Sequence, residues 1–341
     1  MISILRQAPD NRAPVHDRRA SRRIATTLYA YLFLDDFVLL YPVYALLFSD
    51  TGLSVWQISS LFAIWSCSSV LLEVPSGAWA DAVSRRLLLV IGPLLTAVAF
   101  ALWVSAPSYW VFALGFLLWG LKGALGSGAL EALIYEELDR VGAADRYAKV
   151  MGRGTSAGMV GVVLALAVAA PVMAAGGYPA VGVASVLACA LTAAVAAAFP
   201  ENRSLHRDAE STDELGWPAT LRAGLAQARQ SRPVRSCVVL VALVTAVWGA
   251  LDEYTPLLIR GTGVTDAKVP LLLLLIWACA TVGGLIAGHA ERLPTPWFAA
   301  LLAAAAVALA AGALVGRPAG LVLVAVSFGA FQLATVVADA R

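Results

Sequence analysis

The stretch Glu73-Val74-Pro75-Ser76-Gly77-Ala78-Trp79-Ala80-Asp81-Ala82-Val83-Ser84-Arg85-Arg86 decides how this chain is read. On its N-terminal side an apolar run spans 57–80, about the 20 residues a helix needs to cross a bilayer. On its C-terminal side a second run begins at Leu87. One carboxylate and two arginines between two such runs mark a corner at a membrane edge, and Gly77 gives a neighbouring backbone room to approach.

Outward from this corner the same ruler finds ten spans, at 24–48, 57–80, 87–105, 109–135, 155–175, 179–199, 236–258, 269–290, 295–315 and 319–339. Short connections rich in Gly, Pro, Ser and Asp separate most of them. The exception is 200–235, a polar segment with six arginines that follows span six. Long runs of Ala, Leu, Val and Gly are helices. Barrel strands would show about ten residues of alternation, which is absent. The fold class expected is therefore an all-α polytopic membrane protein. A polar segment at 1–23 precedes a six-helix bundle at 24–199, a linker at 200–235 and a four-helix bundle at 236–341.

Composition agrees. Of 341 residues 60% are hydrophobic and 13% charged, with a mean hydropathy of +0.80. A soluble domain is about half apolar and a quarter charged. The balance excludes a secreted disulfide scaffold, a nucleic-acid binder and an ordinary cytosolic enzyme. The four cysteines, Cys67, Cys189, Cys237 and Cys279, lie inside apolar runs without C-x-x-C spacing and read as small buried fillers.

The 24 Lys and Arg residues fix an orientation. With the N-terminus inside, inner segments hold twenty of them and outer loops only Arg260, Lys268 and Arg317, with Lys122 inside a span. The expected location is the cell inner (plasma) membrane, multi-pass, with a cytoplasmic N-terminus. Trp56, Trp110 and Trp297 stand near span ends and suit interfacial anchoring.

The opening stretch resembles the signature loop between helices 2 and 3 of the major facilitator superfamily, G-x-L-A-D-x-x-G-R-[RK]. Gly77, Ala80, Asp81, Arg85 and Arg86 match it, while Trp79 and Ser84 depart from it. The preceding Glu-Val-Pro-Ser-Gly resembles the E-[IV]-P-[ST]-G run of a bacterial subset of that superfamily. The run Gly128-Ala-Leu-Glu131-Ala-Leu-Ile-Tyr135-Glu136-Glu137 looks like the end of helix 4 in the same subset. Six spans followed by a long inner linker also fit. The resemblance implies a conformational latch at Gly77, Asp81, Arg85 and Arg86 that joins the two halves in one state and releases in the other. It also implies twelve helices, so this chain reads as two helices short, a truncation of the second bundle.

Ionised residues inside spans are costly and tend to be paired and functional. Asp35 and Asp36 stand about as deep in span one as Lys122 does in span four, and the two helices run oppositely. Lys122 is therefore expected to pair with Asp36 or Asp35, leaving one acid for a proton or a cationic group. Glu73, Glu131, Asp252 and Glu253 complete the expected substrate or proton pathway.

No nucleotide loop of the G-x-x-x-x-G-K-[ST] kind, no H-E-x-x-H and no clustered histidine stands in the sequence. No cofactor, metal site or catalytic residue is expected. The function expected is secondary transport of a small-molecule substrate by alternating access, with protons as a coupling partner and efflux favoured. The partners expected are the lipid bilayer and the solute, with no nucleic acid, and the protein is read as a monomer. The competing readings are a transporter remnant inactivated by its missing helices and, with less support, a membrane-embedded enzyme or receptor.

Overall fold

A computed structural model describes residues 18–201, 251–290 and 295–339; the side chains of 70, 73–82, 287–290, 295 and 336–339 are not part of that description. The linker at 202–235, the first part of span seven at 236–250 and Cys237 lie outside it. The described chain is helical. Its helices are α1 (Arg18–Asp36), α2 (Tyr44–Asp50), α3 (Val55–Ala82), α4 (Arg85–Ser105), α5 (Tyr109–Gly126), α6 (Ala129–Arg140), α7 (Tyr147–Ala197), α8 (251–261), α9 (Val269–Ala290), α10 (Thr295–Val315) and α11 (Gly320–Asp339). Five described stretches are long and apolar enough to cross a bilayer, one of them the long stretch Ala144–Ala197.

Two spans differ from a plain reading of the sequence. Span one is broken: helix gives way at 37–43 between α1 and α2. Pro42 has no N–H to give to a helical ladder and pushes Tyr41 out of helical geometry. The free backbone groups find other partners. The Leu40 amide donates to Ser185 Oγ at 2.9 Å, and the Leu40 carbonyl accepts from the amides of Val43 and Tyr44 at 3.0 and 2.9 Å. Val38, Leu39, Leu40 and Val43 are fully buried, so this irregular backbone is enclosed in protein, as the bilayer requires.

Span four breaks at Ser127-Gly128, where Gly128 takes φ +71°. Spans five and six both lie within α7, which turns at Gly177 (φ 61°, ψ −156°) just before Pro179. The α7 N-terminal half packs against α1, and its end, with Phe199 and Glu201, returns to the corner at Ser84–Arg86. The chain therefore doubles back at Gly177.

Close packing explains the first group of helices. Gly154, Gly158 and Gly161 form a stripe on α7 that faces α1. A Cβ on Gly161 would lie 2.4 Å from the Phe33 carbonyl oxygen, and one on Gly158 2.3 Å from Asp36 Oδ2. Helices in lipid associate through such contacts, because lipid offers no hydrophobic drive between them. Beside the stripe lies an aromatic core that includes Tyr44, Phe48, Phe100, Trp103, Phe112 and Phe116. Phe48 and Phe112 have ring centroids 4.3 Å apart. In the second group, α9 packs on α11 and α11 on α10.

Trp56, Trp110 and Trp297 are exposed at helix starts, as interfacial anchors should be. Of the cysteines, Cys189 is buried and Cys279 half-buried, but Cys67 is exposed. The expectation of four buried fillers thus fails at Cys67, on a helix flank that apolarity alone does not assign to the core.

Candidate functional site

The break in span one places the end of α1 deep within the helical body. Asp35 and Asp36 are its last two residues. A helix C-terminus carries partial negative charge, so two carboxylates there make the local field strongly negative. Lys122 of α5 answers one of them: its Nζ donates to Asp35 Oδ2 at 2.8 Å, with both side chains about one-fifth exposed. Of the two acids within reach by sequence depth, Asp35 takes the lysine. The Asp36 side chain packs against the glycine stripe and has no hydrogen-bond or ion-pair partner among the described residues.

Asp36 opens instead onto a cavity of about 240 Å³ between the first and second groups of helices. Tyr41, Tyr44, Trp65 and Trp119 wall it on one side. Asp252, Glu253 and Pro256 of α8 and Trp277 of α9 wall it on the other. Tyr41 stacks on Trp119 with ring planes 1° apart and centroids 5.0 Å apart, and Trp65 lies 5.1 Å from Trp119. Asp252 and Glu253 likewise have no ion-pair partner among the described residues. Three carboxylates and a set of aromatic faces thus converge on one space whose described lining contains no cation.

The other residues singled out from the sequence lie elsewhere. Glu131 stands in the first turn of α6, exposed and outside the cavity lining. The side chains of Glu73, Gly77 and Asp81 are outside the described residues, although the α3 backbone runs helically through Pro75. Arg85 Nη1 donates to Glu136 Oε1 of α6. Arg86 Nη1 lies 3.4 Å from the Phe199 carbonyl oxygen. The Ser84 hydroxyl donates to Glu201 Oε2 and also caps α4 by accepting from the Leu87 amide at 3.0 Å. These contacts tie α4 to α6 and to the end of α7, all within the first group of helices.

Sequence reasoning missed two features. One is the aromatic wall, whose members stand on four different elements and share no local pattern. The other is a polar network on the face opposite Arg85 and Arg86. There Arg260 Nη2 pairs with Asp50 Oδ1 at the end of α2, and its Nε lies 3.3 Å from Asp266 Oδ1. Tyr178 OH donates to Asp50 Oδ2 at 2.6 Å. A little deeper, Ser59 of α3 hydrogen-bonds Tyr254 of α8, and Phe62 meets the Tyr254 ring edge-on at 5.6 Å. The network joins the two helical groups. Asp50 and Arg260 are 210 positions apart, and only the charge signs hinted at the pair.

The Major Facilitator Superfamily model matches residues 26–339. Solved structures share the fold at low identity. The nucleoside transporter NupG is 13% identical, with a TM-score of 0.71, covering 94% of this chain and 80% of its own. A bacterial homologue of the human lysosomal transporter Spinster, inward-facing and unoccupied, is 16% identical with a TM-score of 0.69, covering 95% and 75%. A D-xylose–proton symporter is 16% identical with a TM-score of 0.59, covering 92% and 80%. No curated protein sequence matches the chain. A family match over nearly the whole length, on a helical fold shared with transporters, makes this chain a member of the major facilitator superfamily.

Proposed function

We propose that this transporter carries a small organic cation by alternating access, through the cavity between its two helical groups. One observation carries the reading: Asp36, Asp252 and Glu253 face a common aromatic-walled space with no cationic partner among the described residues. Aromatic faces attract a desolvated cation, and quaternary ammonium groups are their usual guests. The volume of about 240 Å³ falls just below the about 300–1,000 Å³ typical of drug-sized ligand sites, which favours a compact solute.

Alternating access needs two states with different contacts to the ligand. The contacts of Asp50, Tyr178 and Arg260 close one face, so the state described here opens, on this reading, toward the face bearing Arg85 and Arg86. The basic bias assigns that face to the cytoplasm of the inner membrane. Asp35 is neutralised by Lys122, which leaves Asp36 as the carboxylate free to exchange a proton for substrate. Inward proton movement coupled to outward cation movement follows, with the chain acting as a monomer and segment 200–235 as the cytoplasmic linker. Asp81, Arg85 and Arg86 tune the equilibrium between states.

The test is uptake into proteoliposomes carrying the full chain, with labelled tetraethylammonium as probe. An outward-directed proton gradient, set across right-side-out and inverted vesicles, tests coupling and direction. Saturable tetraethylammonium uptake is expected, and Asp36→Asn should lower it by about tenfold or more, the equivalent of ~1.4 kcal/mol of lost attraction. Transport of a neutral isostere in preference to the cation, or full activity in Asp36→Asn, would overturn the assignment.

A further inference from the structure

A second cleft lies at the opposite end of α1 from the cavity. It has a volume of about 580 Å³ and sits between α1 and the start of α7. Arg18 and Arg22 project from one wall, and Arg146, Lys149 and Arg153 from the other. The spacing explains the convergence. Positions 18 and 22 share one face of α1, while 146, 149 and 153 follow one face across the start of α7. None of the five has an ion-pair partner among the described residues, and no carboxylate lines the cleft. Asp145, beside Arg146, is exposed and stands apart from the lining.

Five like charges around one hollow repel each other, and here the helix makes matters worse. The first turn of α7 holds no acid, although a helix N-terminus carries partial positive charge and favours anions. Lys149, in that first turn, therefore stands where a cation is disfavoured. An anion in the cleft would offset these costs by neutralising both walls. The floor is suited to the bilayer edge. Ser21 and Val150 are buried, Ala25 is half-buried, and Tyr29 lines the deep end, where an amphipathic ring prefers the headgroup level.

We propose that this cleft is a binding site for a phosphate-bearing anion, either an anionic phospholipid headgroup or free phosphate. The site is separate from the transport cavity and does not depend on what that cavity carries. A planar, forked guanidinium on each wall suits two phosphate oxygens at once, and basic pockets between membrane helices on the cytoplasmic side are suited to such headgroups.

The experiment is native mass spectrometry of the full, delipidated chain titrated with phosphatidylglycerol or phosphatidylcholine of the same acyl length. The wild type should retain phosphatidylglycerol in preference. Each cation near an anionic headgroup contributes about fivefold, so R22Q/K149Q/R153Q should reduce that preference by at least about tenfold. A control, R203Q/R207Q/R229Q, removes the same formal charge from the linker and should keep the preference. A melting curve on each protein establishes that it is folded. Displacement of the lipid by inorganic phosphate at matched ionic strength supports the site and assigns recognition to phosphate alone. Lipid retention that inorganic phosphate leaves unchanged supports the site and assigns it to the whole headgroup. No preference in the wild type, or equal loss in both triple variants, overturns the proposal. So does a preference that emerges only when Asp208, Glu210, Asp213 and Glu214 are neutralised, because the chain's own linker is then the occupant.

Discussion

Contacts inside the first helical group and contacts across the seam to the second are built differently. Inside the group, glycines let α1 and α7 touch backbone to backbone, aromatic rings fill the interior, and Lys122 holds Asp35 at depth. At the seam, the Arg260–Asp50 pair and the Ser59–Tyr254 hydrogen bond on the far face are the main polar joins, and below them lies a cavity. The first set resists rearrangement, because a packed interior has few alternative arrangements. The second can be exchanged for water at small cost. A transporter needs both: bodies that hold their shape and a seam that opens.

The largest test removes the deep lysine. Lys122→Met leaves Asp35 uncompensated beside Asp36, and breaking a buried pair costs about 3–5 kcal/mol. A sharp fall in folded yield and melting temperature is expected on fluorescence-detected size exclusion. Adding Asp35→Asn should restore much of the loss. If the single variant melts like wild type, the pair is not part of the rigid body.

Next comes packing. Gly161→Leu drives a side chain into the Phe33 carbonyl, and overpacking of this kind costs about 1–3 kcal/mol. Thermal melts should show a clear drop, whereas a leucine at exposed Gly152, which has open space around its Cβ position, should change little.

The seam should behave in the opposite way. Asp50 and Arg260 are about one-third exposed, so Arg260→Gln should cost only about 0–1 kcal/mol of stability. Its effect belongs to the conformational equilibrium. A cysteine introduced at Ser59 should react several-fold faster with an impermeant maleimide in that background, a shift of about 1 kcal/mol in the open population. Unchanged labelling would mean that the network is not a gate.

The smallest effect is expected of Tyr178→Phe, which removes one exposed hydrogen bond and leaves the Arg260–Asp50 pair in place. Labelling at position 59 should rise, but less than in Arg260→Gln. A rise as large as that would mean that Tyr178, by holding Asp50 in place, matters to the seam as much as the arginine does.

Much of the scaffold was readable from the chain, because membrane helices carry their signal locally: apolar length, basic asymmetry and the corner at Ser84–Arg86. Depth arithmetic also brought Lys122 within reach of Asp35 and Asp36, since both lie in regular runs where residue number converts to distance. The arithmetic did not foresee the break at 37–43. Pro42 stands in an apolar run that hydropathy treats as uniform, and the partner that satisfies the Leu40 amide, Ser185, is 145 positions away. The cavity wall was half legible. Asp252 and Glu253 announced themselves as charges in a span, whereas Trp65, Trp119 and Trp277 read only as more apolar mass. Arg260 was counted toward orientation and nothing else, because its partners come from other parts of the chain.

The interrupted first span has a mechanical consequence. A continuous rod would carry any tilt at one end straight to the other. With the hydrogen-bond ladder suspended at 37–43, a pull on Asp50 at the end of α2 is taken up by the aromatic core that holds Tyr44 and Phe48, while α1 stays clamped to the glycine stripe. The carboxylates at the end of α1 then keep their position as the far entrance opens, so a bound cation would meet the same anchor before and after the change of access.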